Sequence, residues 1–368
     1  MNAKCGTLLT DLYELTMLQG YWQDEMHETA VFEFFVRNLP KHRNFLLAAG
    51  LEQAIQYLET FAFSSGDIEW LGQTNRFQPE FVKWLRNLQF TGDVNAMPEG
   101  TVFFANEPIL QVIAPLPEAQ FVETRLINLL NFQTMIASKA TPGNVVLLID
   151  TYDTEAAAEK VVNLTAGHLR QRGIEVKGVR IDSGDLGSHA RKVRQILDDG
   201  GQRDVQIFAS GNLDEYLLRD LIEAGAPIDG FGVGTRLDTS SDAPYLDCAY
   251  KLQEYGGRPC RKRSEGKTSW PGQKQVYRTF DSAGHIEGDV LTVHGDRQEG
   301  EPLLCPVMRG GKRLNGPVPL SASREHATCQ LRSLPERLRS LGQARKPFKI
   351  KISDALQSLA LAANKQKR

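Results

Sequence analysis

Between residues 145 and 235 the apolar positions fall into four short strand-like runs, each followed by a longer stretch with apolar residues at helical spacing. The runs are VVLLID (145–150), VKGVRID (176–182), VQIFASG (205–211) and IDGFGVGT (228–235). The intervening stretches predict helices over 154–171, from the end of the second run to about Leu197, and over 213–224. Strand and helix alternating at this pace predict parallel strands joined by helical crossovers. A polar residue ends each run, at Asp150, Asp182, Ser210 and Thr235, with spacings of 32, 28 and 25 residues. Those spacings are close to the roughly 30 residues per unit of a (β/α)8 barrel, so a barrel-like centre is expected.

The flanks are less regular. Residues 8–22 read as a helix opened by Thr10 or Asp11, VFEFFVRNLP (31–40) as a strand stopped by Pro40, and 46–61 as a helix with Gly50 near its start. From 90 to 115, Gly92, Pro98, Gly100, Pro108 and Pro115 punctuate two or three short strands of a small β-rich module. Pro115 and Pro117 mark a boundary before a helical pattern over 118–139. The stretch 258–278 holds seven basic residues and one acidic, with glycine and proline that predict a loop. After residue 300 come proline-rich loops, a helical segment near 333–342 and a basic, frayed C-terminus.

Composition narrows the classes. The 368 residues are 41% hydrophobic and 24% charged, with a net charge of −2. This is an ordinary globular balance with no field favouring nucleic acid or an anionic membrane. No apolar run approaches the roughly 20 residues of a membrane span, and the N-terminus lacks an apolar signal core. Five scattered cysteines (5, 248, 260, 305, 329) with no CxxC pair point to reduced thiols and a cytoplasmic location, not to a disulfide frame or a zinc site.

The candidate chemistry sits at the strand ends. In GVRIDSGDL (178–186), period-two alternation puts Arg180 and Asp182 on one face at the carboxyl end of a strand, where parallel α/β folds place their sites. The structural alternative is an Arg180–Asp182 pair with Ser183 or Asp185 as a helix cap. In GFGVGT (230–235), Gly230, Gly232 and Gly234 before Thr235 let backbone N–H groups approach a phosphate, although glycines also serve tight turns. Ser210 and Asn212 can add donors or cap the next helix. The basic loop can meet phosphates or be a solvated surface. Tyr13 is ambiguous between core and ligand contact. His42 and His189 read as surface residues, and no metal-ligand spacing or Ser-His-Asp signature is found.

In sum the chain resembles the nicotinate phosphoribosyltransferase family. The matching runs are TDLYELTM (10–17), FVRNLP…FLLAAGLEQ (35–53), MPEGTVFFANEPILQV (97–112), NFQTMIASKA (131–140), VVLLIDTYDT (145–154), GVRIDSGDL (178–186), GFGVGTRL (230–237) and KRSEGKTSWPGQKQVYR (262–278). The resemblance implies an N-terminal α/β module (1–117), an irregular (β/α) barrel of the type II phosphoribosyltransferase kind (118–300), and a C-terminal extension (301–368) packing back on the first module. It also implies a homodimer whose site borrows N-terminal residues from its neighbour. The implied reaction is nicotinate plus phosphoribosyl pyrophosphate, with Mg2+, giving nicotinate mononucleotide and pyrophosphate, driven by ATP as co-substrate. By the same resemblance Tyr13 stacks on nicotinate, Arg180 faces it, Asp182 lies beside the ribose and its departing pyrophosphate, and Gly234 and Thr235 belong to the loop that holds the 5-phosphate; Gly232 and Ser210 join them as substrate-binding candidates by their place at the strand ends. Family members carry a further block between the segments matching Ala140 and Thr141, holding an FGxRR-type motif, a Gly-Thr-Ser-Asn turn and a GTxAHS motif whose histidine is phosphorylated. This chain lacks it, so an incomplete barrel is expected. Three readings remain: a nicotinate enzyme, a non-catalytic remnant that only binds phosphoribosyl pyrophosphate or a full-length partner, and a damaged enzyme whose gap is an artefact such as one of splicing; within enzymes the alternative is a nicotinamide or quinolinate phosphoribosyltransferase.

Overall fold

The computed structural model describes residues 7–41, 43–137, 147–150, 153–164, 176–234, 236, 239–240, 243, 245–262 and 268–365. His42, Thr235 and the Ala140–Thr141 junction lie outside the described residues. The chain divides into two compact units, one of residues 1–138 and 245–368 and the other of residues 139–244. The expected boundaries at 117 and 300 are therefore not where the compact units separate. The helical pattern after Pro117 stays with the N-terminal residues, and so does the C-terminal extension.

The larger unit opens with α1 (Leu12–Gln23) and β1 (Thr29–Val36), then β2 (Leu46–Leu47), α2 (Leu51–Glu59), α3 (Ser65–Gln73) and α4 (Pro79–Leu85). The helix expected over 46–61 begins only at Leu51, because Gly50 turns the chain with a φ of 95° and residues 46–47 pair as a strand. There follow β3 (Asp93–Ala96), β4 (Val102–Phe103), β5 (Pro108–Pro115), α5 (Leu116–Phe121) and α6 (Glu123–Ala137).

The smaller unit holds β6 (Leu147–Leu148), α7 (Thr154–Leu164), β7 (Gly178–Ile181), α8 (Leu186–Asp199), β8 (Gln206–Ser210), α9 (Glu215–Glu223) and β9 (Gly230–Gly232). Back in the larger unit come β10 (Cys248–Tyr255), β11 (Arg258–Pro259), β12 (Lys274–Phe280), β13 (Ile286–Val293), β14 (Glu301–Pro302), β15 (Cys305–Arg309) and β16 (Lys312–Arg313). The chain ends with α10 (Leu320–Ser333), α11 (Glu336–Arg339), β17 (Lys351–Ile352) and α12 (Asp354–Lys365). The C-terminal stretch thus forms a helix up to Lys365 where fraying was expected, and the helical segment expected near 333–342 divides between α10 and α11.

In the larger unit an antiparallel sheet of order β11-β10-β1-β5-β3-β15-β16 faces a second sheet of order β14-β12-β13-β17. β1 is buried along residues 30–36, so its alternation places Phe32 and Phe34 in the main core and Glu33, fully buried, on the opposite face. Glu33 is met there by Lys274 of β12 at 2.7 Å and by Gln111 Nε2 at 2.8 Å, and Gln111 in turn accepts from Asn95. The basic stretch 258–278 is accordingly not one loop. Lys274 and Arg278 belong to a buried strand, with Arg278 donating from Nε and Nη2 to Asp289 at 2.9 and 2.6 Å. Burial, and then Asp289 beside it, push the pKa of the Glu107 carboxyl well up.

In the smaller unit the four strands are parallel, in the order β6-β7-β8-β9. Val179, Ile181, Ile207 and Ala209 share a core with Ala158 of α7, Val193 of α8 and Leu221 of α9. Helices thus cover one sheet face, and Arg180 emerges on the other. Among the described residues the sheet is open at β6 and β9, and no closed barrel forms.

Candidate active site

Three strand ends of the smaller unit build one polar cluster. The register sets Arg180 opposite Phe208, and Phe208 opposite Gly230, with Ser210 opposite Gly232. A side chain at Gly230 would run into the Phe208 ring at 2.6 Å, and one at Gly232 would meet Ser210 Cβ at 3.2 Å. These two glycines therefore make room for the neighbouring strand, and neither has a positive φ. Among the described residues nothing lies within 4 Å of a Cβ built at Gly234, which leaves it free to serve a ligand. Thr235, expected as the phosphate-holding hydroxyl, lies outside the described residues.

Arg180 and Asp182 meet, as period-two alternation predicts. Arg180 donates from Nη2 to Asp182 Oδ1 at 2.6 Å and from Nε to Ser210 Oγ at 2.5 Å. The Ser210 hydroxyl also donates to Asp182 Oδ1. Hydrogen bonds from Ser210 and then from Arg180 hold the Asp182 carboxyl below the usual aspartate range. Ser210 is 3% exposed, whereas the Arg180 and Asp182 side chains are 47% and 41% exposed. The result is an oriented guanidinium and an ionised carboxylate facing solvent, with Nη1 of Arg180 bonded to no described residue.

Two supports were not singled out from the sequence. Asp150, at the end of β6, accepts from the backbone N–H of Asp182 and from Ser183 Oγ, both at 2.7 Å, and so fixes the β7 turn. Gly211 adopts a φ of 93°, and a Cβ there would lie 1.9 Å from the Asp182 carbonyl oxygen. The signal for Asp150 was its place in the series of strand-end polar residues. Gly211 gave none beyond its place at the end of VQIFASG. Of the two capping candidates, Asp185 caps α8 through the Ser188 N–H at 2.9 Å, while Ser183 serves Asp150.

His189 is not a free surface residue. It is 27% exposed, bonds Glu155 through Nδ1 at 3.0 Å, and turns Nε2 toward Gly184 in the β7–α8 turn. Among the described residues no group of three or more His, Cys, Asp or Glu is arranged to hold a metal.

Tyr13 belongs to the larger unit, on α1, and is 45% exposed. Partial burial and then Glu123 raise the pKa of its hydroxyl, so it stays protonated and can donate. Leu9, Leu12 and Met17 are exposed beside it in sequence.

Comparison with known proteins bears on the chain as a whole. The model of the nicotinate phosphoribosyltransferase N-terminal domain matches residues 8–131. Nicotinate phosphoribosyltransferase pncB2 of Mycobacterium tuberculosis is 38% identical over 430 aligned positions, covering 95% of this chain and 92% of the relative. Since 95% of 368 residues is about 350, about 80 of those 430 positions have no counterpart here. The Bacillus subtilis nicotinate phosphoribosyltransferase is 33% identical, over 81% of this chain and 78% of its own. The crystal structure of human nicotinic acid phosphoribosyltransferase shares the fold, with a TM-score of 0.77 at 22% identity over 96% of this chain and 99% of that one.

Proposed function

Because the chain belongs to the nicotinate phosphoribosyltransferase family, we propose that it transfers the phosphoribosyl group of phosphoribosyl pyrophosphate to nicotinate, a step of NAD salvage. The observation that carries this reading is the Arg180–Asp182–Ser210 cluster at the strand ends. In the reaction the bond from ribose C1 to pyrophosphate breaks, and the nicotinate ring nitrogen takes its place. Positive charge develops on the ribose ring, and the ionised Asp182 carboxylate is suited to stabilise it. Arg180 is held by two hydrogen bonds with Nη1 to spare, the arrangement that receives the nicotinate carboxylate. Nicotinamide lacks that carboxylate, which favours the acid. Gly232, Gly234 and Thr235 are assigned to the 5-phosphate, and Tyr13 to the pyridine ring.

Mg2+ fits the donors present. Asp150 and Asp182 offer carboxylate oxygens on neighbouring strand ends, the kind of ligand that this ion takes together with substrate phosphates and water. When bound it would neutralise the departing pyrophosphate. ATP coupling and a homodimer complete the proposal. The exposed apolar residues Leu9, just before α1, and Leu12, Tyr13 and Met17 on it support a pairing surface there, and light scattering would report it. A cytoplasmic site of action accords with Cys248, Cys260, Cys305 and Cys329 all being free, and no described helix is long and apolar enough to cross a membrane.

The purified chain with nicotinate, phosphoribosyl pyrophosphate and MgCl2 should yield nicotinate mononucleotide by chromatography, more completely with ATP, and none from nicotinamide or quinolinate. Asp182→Asn should lower kcat by about 10²–10³. The roughly 80 positions lacking here support a second reading, in which the chain binds phosphoribosyl pyrophosphate without turnover. A thermal shift with that substrate and no product would select it.

A further inference from the structure

The larger unit contains a cavity of about 270 Å³ that shares no residue with the strand-end cluster. Its apolar wall includes Leu51 and Ile55 of α2, Pro98, Pro306, Val307 and Ala322. It is well over the 150 Å³ or so that accommodates benzene in an engineered core.

The walls are fixed from several sides. Arg313 of β16 forks onto α2, reaching Glu52 at 3.1 Å and Glu59 at 2.6 Å. α10 lies directly on Gly100, where a Cβ would stand 2.7 Å from the Ser323 carbonyl oxygen. His326 of α10 bonds Thr101 Oγ1 at 3.0 Å, and Gln330 accepts from the Val102 N–H at 3.2 Å. The space is therefore part of the folded unit and not a gap between loose segments.

Its polar groups select a charge. The one lining guanidinium, Arg313, is already shared between Glu52 and Glu59. Glu99 uses Oε1 to accept from the Gly50 and Glu52 N–H groups at 3.0 and 3.3 Å, and its Oε2 bonds no described residue. Burial lowers the pKa of His326, so it adds no positive charge. Ser323 is 9% exposed, and its hydroxyl is buried without a hydrogen-bond partner among the described residues. An unpaired buried hydroxyl costs stability and is normally satisfied, so its presence on a cavity wall marks a place for a ligand.

We propose that this cavity is a second ligand site, taking a small arylalkylamine with its apolar body against Ile55 and Val307 and its ammonium group toward Glu99. A carboxylate of the same shape is excluded by Glu52 and Glu99. The Ser323 hydroxyl bonds an oxygen or nitrogen on the ligand body where one is present.

The test uses the full chain with phenethylamine and, as its acidic counterpart, 3-phenylpropionate, followed by saturation-transfer NMR and calorimetry. Phenethylamine should bind saturably in the millimolar range or tighter, and the acid should not bind. Glu99→Gln keeps an oxygen for the two backbone N–H groups and should weaken the amine roughly tenfold, the equivalent of one charge-assisted hydrogen bond. Ala322→Trp, at an exposed position of α10, should fill the cavity and abolish binding while circular dichroism stays unchanged. Absence of saturable binding, equal binding of acid and amine, or unaltered binding by Ala322→Trp overturns the proposal.

Discussion

Asp182 owes its acidity to two neighbours, Ser210 first and Arg180 second. Removing the first with Ser210→Ala should raise the Asp182 pKa toward the ordinary value of about 3.9, which carboxyl 13C NMR would follow. A depressed folded pKa adds stability above the unfolded value of about 3.9 and loses it as pH falls through the folded value. Ser210→Ala narrows that contribution, so acid unfolding should begin at a higher pH. Buried charge behaves differently. Arg278→Met would leave the buried Asp289 carboxylate without its cation, and about 3–5 kcal/mol should be lost in urea denaturation. These two cases also mark what single residues reveal in a sequence. Period two predicted the meeting of Arg180 and Asp182. Nothing local predicted that Lys274 finds Glu33 241 residues earlier in the chain, so both Lys274 and Arg278 read as solvated.

At the level of elements, the strand ends depend on glycines with distinct tasks. Gly211→Ala combines a left-handed φ with a collision against the Asp182 carbonyl, and should cost about 1–3 kcal/mol and weaken phosphoribosyl pyrophosphate binding. Gly234→Ala meets no described residue and should leave stability within about 0.5 kcal/mol. Paired urea titrations would separate them, since equal losses contradict this assignment. The order of strands and helices over 145–235 was legible because β-branched runs and amphipathic stretches alternate there without interruption. The purpose of GFGVGT was only half legible. Spacing shows three glycines, but the Phe208 ring that requires one of them and the Ser210 Cβ beside another come from the adjacent strand. The start of α2 was misread for a related reason, since Leu46 and Leu47 continue the helical pattern and yet pair with β4.

For the whole molecule, ligand linkage gives the broadest test. Phosphoribosyl pyrophosphate at 100 times its Kd should stabilise the chain by about 2.7 kcal/mol, and Thr235→Ala should remove the accompanying rise in Tm. A rise that survives Thr235→Ala would move the phosphate elsewhere. Family membership was legible in motifs spread along the chain. The division into units was not, because Pro115 ends β5 and Pro117 lies in the first turn of α5, two elements that belong to one folded unit. The parallel sheet, open at β9 among the described residues, has a consequence for handling. β9 is three residues long, Gly-Phe-Gly, with neither charge nor proline, and one of its sides pairs with no described strand. Such a border accepts a foreign strand readily. Concentrated stocks should therefore coalesce slowly while activity per dissolved molecule holds steady, with the brevity of β9 as the main safeguard against runaway growth.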